Sequence, residues 1–313
     1  DAINDPGTHE CSFEAKNCTI INNQSREVLR QKQNKYYNYD LIKPFFNAST
    51  EDWFGDSNFK WFFGLRGQRY KVQSYQNDID SGDRLPNDRT LIDIEKPYGY
   101  DATEGRRYVN GVRVALSYDS RPRDREKNPN TGIFADLHYW GTGSSTGSHY
   151  TFHRVTATYR QYIELFPSMF NDAGQELVFA YRVQGQETFG KAPFYELGTI
   201  TTMNESSDGL GGKRGLRGYA ANQFVDNVMA QLNTEVRWTF GRAKALGGLD
   251  FILLGYYDVG RVGETWKEIE NRGLHYAAGG GIRLVQQGSI VVNISAGRSK
   301  YDSHVNFDFN HMF

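Results

Sequence analysis

Hydroxyl and imidazole side chains are the groups of this sequence that could catalyse a reaction. Several lie in one short segment: Ser144, Ser145, His149 and His153. A serine hydrolase holds its nucleophile on a Gly-x-Ser-x-Gly turn, and this motif does not occur. The His-Glu-x-x-His run of zinc peptidases and the phosphate-binding loop are missing too. The sequence therefore predicts a protein that is not an enzyme, needs no cofactor or metal, and uses its histidines at surfaces or interfaces.

The cysteines are the second reactive group. Cys11 and Cys18 lie close together in a polar segment, and the chain has no other cysteine. A local disulfide formed in an oxidising compartment is the favoured interpretation. Two free thiols are the alternative. A zinc site that includes His9 is less favoured, because no fourth ligand is evident.

The composition favours a β-rich protein without a nucleic-acid partner. The formal net charge is −1, whereas nucleic-acid binding demands a basic face. Aromatic residues make up 14% of the chain, and glycine (33 residues) far outnumbers proline (8), which fits many strands joined by tight turns. The longest apolar run, 251–257, is too short for a transmembrane helix. A mean hydropathy of −0.65 is nevertheless compatible with a membrane barrel, whose strands alternate apolar and polar residues.

Apolar and polar residues alternate along most of the chain, which is the period of a β-strand. The pattern predicts about eleven strands: 36–47, 58–75, 107–119, 131–141, 150–166, 175–187, 226–240, 248–259, 273–286, 289–298 and 303–313. A turn is predicted at 49–58. Residues 1–34 show no such period and are interpreted as a loop.

Alternation alone fits both a soluble β-sandwich and a membrane barrel, but three further features favour the barrel. Charged residues recur within the polar faces, as expected of a wet lumen: Arg154, Glu235, Arg237, Asp258 and Arg283. Aromatic residues gather near strand ends, and short connections alternate with long ones, as in transmembrane barrels. The predicted fold class is therefore all-β, a transmembrane antiparallel β-barrel.

A Gly-rich segment between the two halves of this pattern reads Arg214-Gly215-Leu216-Arg217-Gly218-Tyr219. Gly215 and Gly218 allow the backbone to turn sharply and to approach a wall closely, and Tyr219 supplies an aromatic body that can wedge there. Together with the alternating aromatic strand at 305–313, this motif resembles the BamA/TamA family of outer-membrane barrels, also called the bacterial surface antigen family.

The resemblance implies roles for several residues. The loop folds back into the barrel lumen, where Arg217 is held by carboxylates of the following strands at the matching positions, Glu235 and Asp258. A guanidinium that loses water inside a barrel needs such acceptors for its fork of donors. Arg283, in a Gly-rich strand that also matches the family, is expected beside them.

The ends and turns of the chain add further matches. Phe307, Phe309 and Phe313 resemble the terminal aromatic signal that barrel assembly machinery recognises. Residues 118–132 resemble a strand–turn–strand element of the family, and 190–197 resemble the segment that enters the signature loop, whereas the polar stretch 204–208 departs from the pattern. Arg121, Arg123, Arg125 and Lys127 form a basic cluster, which is interpreted as a solvated turn or, alternatively, a contact with anionic lipid headgroups.

The resemblance also implies the architecture. The complete barrel has about sixteen strands, of which this chain supplies about eleven. Residues 1–34 are then an extracellular loop or processed N-terminal segment, and 35–313 form the barrel domain. An open sheet in lipid leaves unpaired backbone groups, so the missing strands are expected from a second polypeptide, the N-terminal fragment of the same precursor. The alternative is a smaller barrel closed by this chain, with a strand recruited from 19–34.

By the same resemblance, the chain is expected in the outer membrane of a Gram-negative-type cell. There it assembles, inserts or translocates other proteins, with outer-membrane lipid and client or complex proteins as partners. An incoming strand would pair with the edge of the last strand, 303–313. Three alternatives stay open: a passive pore or scaffold subunit, the membrane anchor of an upstream lipase-type domain, and a soluble β-sandwich.

Overall fold

The computed structural model describes residues 3–5, 9–11, 19–20, 39–74, 107–126, 128–171, 174–203, 206–243, 248–271, 273–286, 290–300 and 302–309. The described strands are β1 Ile3–Asp5, β2 His9–Cys11, β3 Thr19–Ile20, β4 Tyr39–Ile42, β5 Phe45–Trp53, β6 Phe59–Ser74, β7 Arg107–Asp119, β8 Gly132–Thr142, β9 Phe152–Glu164, β10 Glu176–Gly190, β11 Thr199–Thr201, β12 Ser206–Asp208, β13 Val228–Ala243, β14 Leu249–Gly263, β15 His275–Gln286, β16 Ile290–Ser299 and β17 Ser303–Asp308.

Helical structure in this part of the chain is limited to short segments. They are the α-helices Pro167–Phe170, Phe194–Leu197 and Trp266–Asn271 and the 3-10 turns Arg123–Arg125 and Ser144–Thr146. Within the described residues, no helix combines the length and the apolar character that a membrane crossing would require.

One large sheet contains most of the strands, in the order β17-β16-β15-β14-β13-β10-β9-β8-β7-β6-β4, with β5 also paired to β6. The paired strands run antiparallel, as in the long pairings of β9 with β10 and of β13 with β14. Two small sheets, β1-β2-β3 and β11-β12, complete the described strands. The predicted all-β, antiparallel fold class is confirmed.

Two details of the predicted strands are wrong. The first predicted strand, 36–47, is two strands that are separated at Lys43 and Pro44, because proline has no N–H to donate to a ladder. The turn predicted at 49–58 is a shorter hairpin, since β5 continues to Trp53 and Phe54 N donates to Phe59 O at 2.9 Å. Residues 49–53 of the predicted turn are mostly polar, but they belong to β5, which pairs with β6.

Residues 1–34 were expected to form a loop, and this expectation needs correction at β1, β2 and β3. Ile3 pairs with Cys11, and His9 pairs with Ile20, in antiparallel register. Strands of two or three residues are too short for an alternating pattern to be read from the sequence. Cys18 lies outside the described residues, so the disulfide with Cys11 stays a prediction.

The chain divides into two compact units. The first contains Asp1–Asn47, Arg66–Gly111 and Thr142–Tyr150, and the second contains Ala48–Leu65, Val112–Gly141 and Thr151–Phe313. Within the first, Thr146 Oγ1 donates to Asn110 O at 2.7 Å, which ties a 3-10 turn to β7. The second contains the residues of the candidate site.

Burial in the strands of the second unit is the reverse of that in a water-soluble protein. In β13 the large apolar side chains Leu232, Val236 and Trp238 are exposed, whereas the alternating polar side chains Gln231, Asn233, Glu235 and Arg237 are buried. The same holds in β14, where Leu253 and Tyr257 are exposed and Asp258 is fully buried. A contiguous apolar exterior of this kind is unfavourable in water and is the arrangement of strands that face lipid. It argues against the soluble β-sandwich.

Candidate functional site

The Gly-rich loop that follows β12 turns back onto β13–β16, and its glycines make this close approach possible. A Cβ on Gly218 would lie 2.8 Å from the backbone carbonyl carbon of Arg298 and 2.8 Å from the amide nitrogen of Ser299. A Cβ on Gly215 would lie 2.7 Å from the amide nitrogen of Gly211. A larger residue at position 218 would push the loop away from β16, and one at position 215 would clash with the backbone of the loop itself.

Arg217, at the centre of this loop, is bound by two buried carboxylates. Its Nε and Nη2 donate to Asp258 Oδ2 and Oδ1, each at 2.8 Å, and its backbone N–H donates to Asp258 Oδ2 at 3.1 Å. Its Nη1 donates to Glu235. The guanidinium carbon also lies 3.5 Å from the centroid of the Tyr256 ring, which adds a cation–π contact. Carboxylate oxygens thus accept hydrogen bonds from Nε, Nη1 and Nη2 of Arg217, and the Tyr256 ring packs against its guanidinium.

Glu235 is shared by further arginines. Arg237 Nε donates to Glu235 Oε2 at 2.7 Å, and Arg283 Nη2 lies 3.4 Å from the same oxygen. All five charged side chains of this group are at most 2% exposed. Three guanidiniums and two carboxylates leave the buried group with a net charge of +1 (3 − 2). Arg283, expected beside the loop, acts on it through Glu235.

The charge of Arg217 is stabilised despite its burial. Loss of water lowers the pKa of the guanidinium, but Asp258 and then Glu235 outweigh this effect and raise the pKa above its ordinary value. The Arg217 guanidinium therefore stays protonated at neutral pH although it is buried.

Two residues that sequence reasoning missed hold the loop backbone. Asn233 Nδ2 donates to Gly215 O at 2.8 Å and to Asp258 Oδ1 at 3.0 Å. Arg182 Nη2 donates to Arg214 O at 2.6 Å and also to Asn233 Oδ1 at 2.7 Å. Arg182 and Asn233 are directly paired across β10 and β13. Their place on the polar face of each strand was the signal in the sequence, but the pairing register was needed to connect them.

Apolar packing supplements the ion pairs at the loop. The cluster that receives Leu216 and Tyr219 also contains Ile200, Leu210, Phe224, Met229, Val262 and Ala277. The Tyr219 ring packs edge-on against Phe224 with centroids 5.1 Å apart, and its hydroxyl donates to Tyr276 O at 3.3 Å. The tyrosine thus wedges against the wall, as its aromatic body suggested.

The chain that leads into the loop is fixed by a second buried ion pair, which the sequence did not predict. Arg154 Nη2 donates to Glu196 O at 2.6 Å, and Nη1 lies 3.5 Å from Glu196 Oε2. Both side chains are buried. Farther along, Asp136 accepts a hydrogen bond from Met203 N at 3.2 Å. The stretch 204–208, which departs from the family pattern, contains β12, which pairs with β11; residues 204 and 205 lie outside the described part of the chain.

The last described strand touches the same loop. Asn306 Nδ2 donates to Arg217 O at 3.1 Å, and Lys213 Nζ lies 3.1 Å from Asp308 Oδ1. Phe307, on the other face of β17, and Phe309, just after the strand, are both exposed. Phe313, the third residue of the expected assembly signal, lies outside the described residues.

A groove of about 490 Å³ separates the loop from β17. Four consecutive residues of β17 line it: His304, Val305, Asn306 and Phe307. Successive side chains of a strand point to opposite faces, so a groove that contacts all of them lies against the backbone edge of the strand. The other edge of β17 pairs with β16. The groove therefore runs along the edge that carries no strand in the described part of the chain.

The other candidate residues are not brought into this site. In the first unit, the His149 ring accepts a hydrogen bond from Tyr108 N at 3.1 Å. In the second, His153 Nδ1 lies 2.7 Å from the Tyr139 hydroxyl. Ser144 begins a 3-10 turn. The prediction that the chain is not an enzyme stays a prediction.

The basic cluster is partly neutralised within the protein. Arg121 binds Asp119 through two hydrogen bonds of 2.9 and 2.8 Å, and Arg125 binds Glu176 at 3.0 and 2.7 Å. Arg123 lies 5.1 Å from the centroid of the Trp53 ring. Lys127 lies outside the described residues. Two of the four charges are therefore satisfied without lipid, which weakens the headgroup interpretation.

Comparisons with known proteins relate this geometry to a known fold. The solved structures include a similar one, the crystal structure of BamA from Haemophilus ducreyi lacking POTRA domains 1-3, with a TM-score of 0.56 and 16% sequence identity. The match covers 86% of this chain and 53% of that chain, so the chain spans about half the length of the structure it matches. No protein-family model matches the sequence, and no curated protein does. The likeness shows that the fold is a BamA-like β-barrel.

Proposed function

We propose that this chain is an outer-membrane β-barrel of the BamA/TamA kind that helps to assemble, insert or translocate other outer-membrane proteins by pairing with an incoming strand. The observation that carries the proposal is the groove along β17, because strand addition needs an accessible backbone edge with room beside it. The anchored loop forms the facing wall. Exposed apolar residues on the outer face support the membrane location.

A photoreactive amino acid at Val305 tests this proposal in cell envelopes. Val305 is 79% exposed on the apolar face of β17 and also lines the groove. The matched control is the same substitution at Ile282, which is also exposed on the outer face but lies in β15, between β14 and β16. We expect protein adducts at Val305 that are absent at Ile282. Adducts with lipid alone at both positions would contradict the proposal and favour a passive pore or scaffold, which would also show a steady conductance.

A second polypeptide that supplies further strands belongs to the same proposal. The described sheet order ends with β17 at one side and β4 at the other, and about sixteen strands are expected in the complete barrel. Purification from membranes with a tag on this chain would test it: a stoichiometric companion of β-barrel composition is expected. Isolation of this chain alone, with a closed barrel, would contradict it. The lipase-anchor alternative predicts instead a companion domain with hydrolase activity.

A further inference from the structure

The walls of the groove carry positive charge that is incompletely balanced. Lys213 and Arg214 line it on the loop side, the His304 imidazole, which is charged only when protonated, lines it on the strand side, and no carboxylate lies among its lining residues in the described part of the chain. Lys213 is partly neutralised, because its Nζ lies 3.1 Å from Asp308 Oδ1. His304 Nε2 lies 3.1 Å from Asp302 Oδ2. Each of these two groups thus already has an acidic neighbour.

Arg214 differs from both. Its carbonyl oxygen accepts from Arg182, which holds the backbone in place. Its guanidinium, by contrast, makes no ion pair with any described carboxylate. The next arginine of the motif, Arg217, shows what the same side chain does when the fold supplies acids, since it binds two of them. Arg214 is the cation in this loop whose counter-charge the described chain does not contain.

A strand that occupied the groove would complete this arrangement. Antiparallel or parallel pairing with β17 would direct alternate side chains of the new strand to the two faces of the sheet. One set would join Val305 and Phe307 on the apolar face. The other would join His304 and Asn306 on the face where the loop lies, and would therefore approach Arg214. A carboxylate there would meet a guanidinium at the rim of a partly buried groove.

We propose that the groove selects an extended segment of an incoming client protein, distinct from the polypeptide that completes the barrel, and that this segment carries an aspartate or glutamate on its loop-facing side and apolar residues on its other side. The inference rests on the proposed function, and it adds the chemistry by which the partner strand is chosen. Arg214 is the specificity-determining residue, and the β17 edge supplies the sequence-independent backbone hydrogen bonds.

Synthetic nine-residue peptides test the inference with the protein purified from membranes, together with any companion polypeptide, in detergent micelles. Three fluorescent peptides alternate valine and threonine and differ only at the central loop-facing position, which is aspartate, asparagine or lysine. Binding is measured by fluorescence anisotropy, and occupancy of the edge by photocrosslinking to the probe at Val305. We expect the aspartate peptide to bind about three- to tenfold more tightly than the asparagine peptide, the lysine peptide to bind most weakly, and the difference to shrink in high salt.

Substitutions assign the preference to one residue. Arg214→Gln is expected to remove most of the difference between the aspartate and lysine peptides. The matched control, Arg123→Gln, changes an exposed arginine that lies outside the groove lining and should keep the difference. Equal binding of all three peptides with crosslinks at Val305 would overturn the charge selection and leave strand pairing intact. A preference that survives Arg214→Gln would overturn the assignment. Absence of crosslinks with every peptide would overturn strand pairing itself, and the selection with it.

Discussion

Replacing Arg217 with alanine is the perturbation that tests the buried loop anchor most directly. The change removes one positive charge from the group of five, so that two guanidiniums and two carboxylates remain. The remaining charges are unevenly placed. Glu235 keeps Arg237 at 2.7 Å and Arg283 at 3.4 Å, whereas Asp258 keeps the Asn233 amide at 3.0 Å and no described cation. Asp258 is therefore the carboxylate that is left without a described cation.

The expected magnitude follows from that asymmetry. A buried carboxylate that loses its cation costs about 3–5 kcal/mol, provided that it stays dehydrated. The loss of the contact with Tyr256 adds about 1 kcal/mol. The loop can avoid part of this cost by leaving its site and letting water reach Asp258. The measured loss of stability is then limited to the free energy with which the loop docks.

Two measurements separate these outcomes. Urea unfolding of the refolded protein in micelles, followed by the mobility of unheated samples on gels, reports the loss of barrel stability. Limited digestion with trypsin reports loop release, because Lys213 and Arg214 offer cleavage sites that a docked loop protects. We expect Arg217→Ala to lower stability, to accelerate cleavage at these sites, or to do both.

A charge-matched double variant provides the control. Asp258→Asn removes the carboxylate that Arg217→Ala would strand, so adding Arg217→Ala to it should cost less than the same change in the native protein, with a coupling of about 2 kcal/mol or more. Glu235→Gln should couple more strongly to Arg237 and Arg283, which it strands. If Arg217→Ala left both stability and trypsin resistance unchanged, or if Asp258→Asn gave no rescue, the anchor would not work as described.

Other consequences of the structure are simpler to test. Gly218→Ala should lower the free energy of unfolding by about 1–3 kcal/mol, because its Cβ would lie 2.8 Å from the β16 backbone. Gly255→Ala, whose Cβ would have no atom within 4 Å, is the control and should change the free energy of unfolding by less than about 0.5 kcal/mol in the same assay. Asn306→Ala should speed trypsin cleavage of the loop modestly, since one hydrogen bond of about 1 kcal/mol to Arg217 O is lost; unchanged cleavage would show that β17 does not hold the loop. Cysteines introduced at Asn128 and Ser207 should lie on opposite sides of the membrane, so an impermeant reagent applied to intact cells should label Ser207→Cys alone.

The alternation of the sequence was sufficient to predict the inward and outward faces of the strands. In β13, Glu235 and Arg237 occupy the buried face and Val236 and Trp238 the exposed face, as their spacing requires. Alternation assigns faces because each residue reverses the direction of the side chain, independently of any partner. Strand ends were less predictable, since the break at Pro44 depends on one missing donor within an otherwise favourable pattern.

Contacts across the sheet were beyond the same reasoning. Arg182 meets Asn233, and Arg154 meets Glu196, only after register and loop path are fixed. The alternation along one strand determines neither the register between strands nor the path of a loop, because many registers place polar residues on the same face. The clamp residues Glu235 and Asp258 could be named in advance through a family resemblance, and the structure brings both onto Arg217. The third arginine of that group, Arg237, was placed in the lumen by its period but not paired.

The balance of buried charge in the second unit helps to explain why the loop carries positive charge. Among the described residues of that unit, buried arginines outnumber buried carboxylates by eight to six. The loop adds the half-buried Arg214 to this excess, together with Lys213, which is exposed and pairs with Asp308. Desolvated cations require counter-charge, and where the described chain does not supply it, dissolved anions or a partner must. Dissolved anions would serve the wet interior, whereas beside the β17 edge the proposed partner strand would exclude water and would make a side-chain carboxylate the effective counter-charge. The cationic loop thus suits the proposed partner strand, and Arg217, buried three residues beyond Arg214, holds that wall of the groove against β13 and β14.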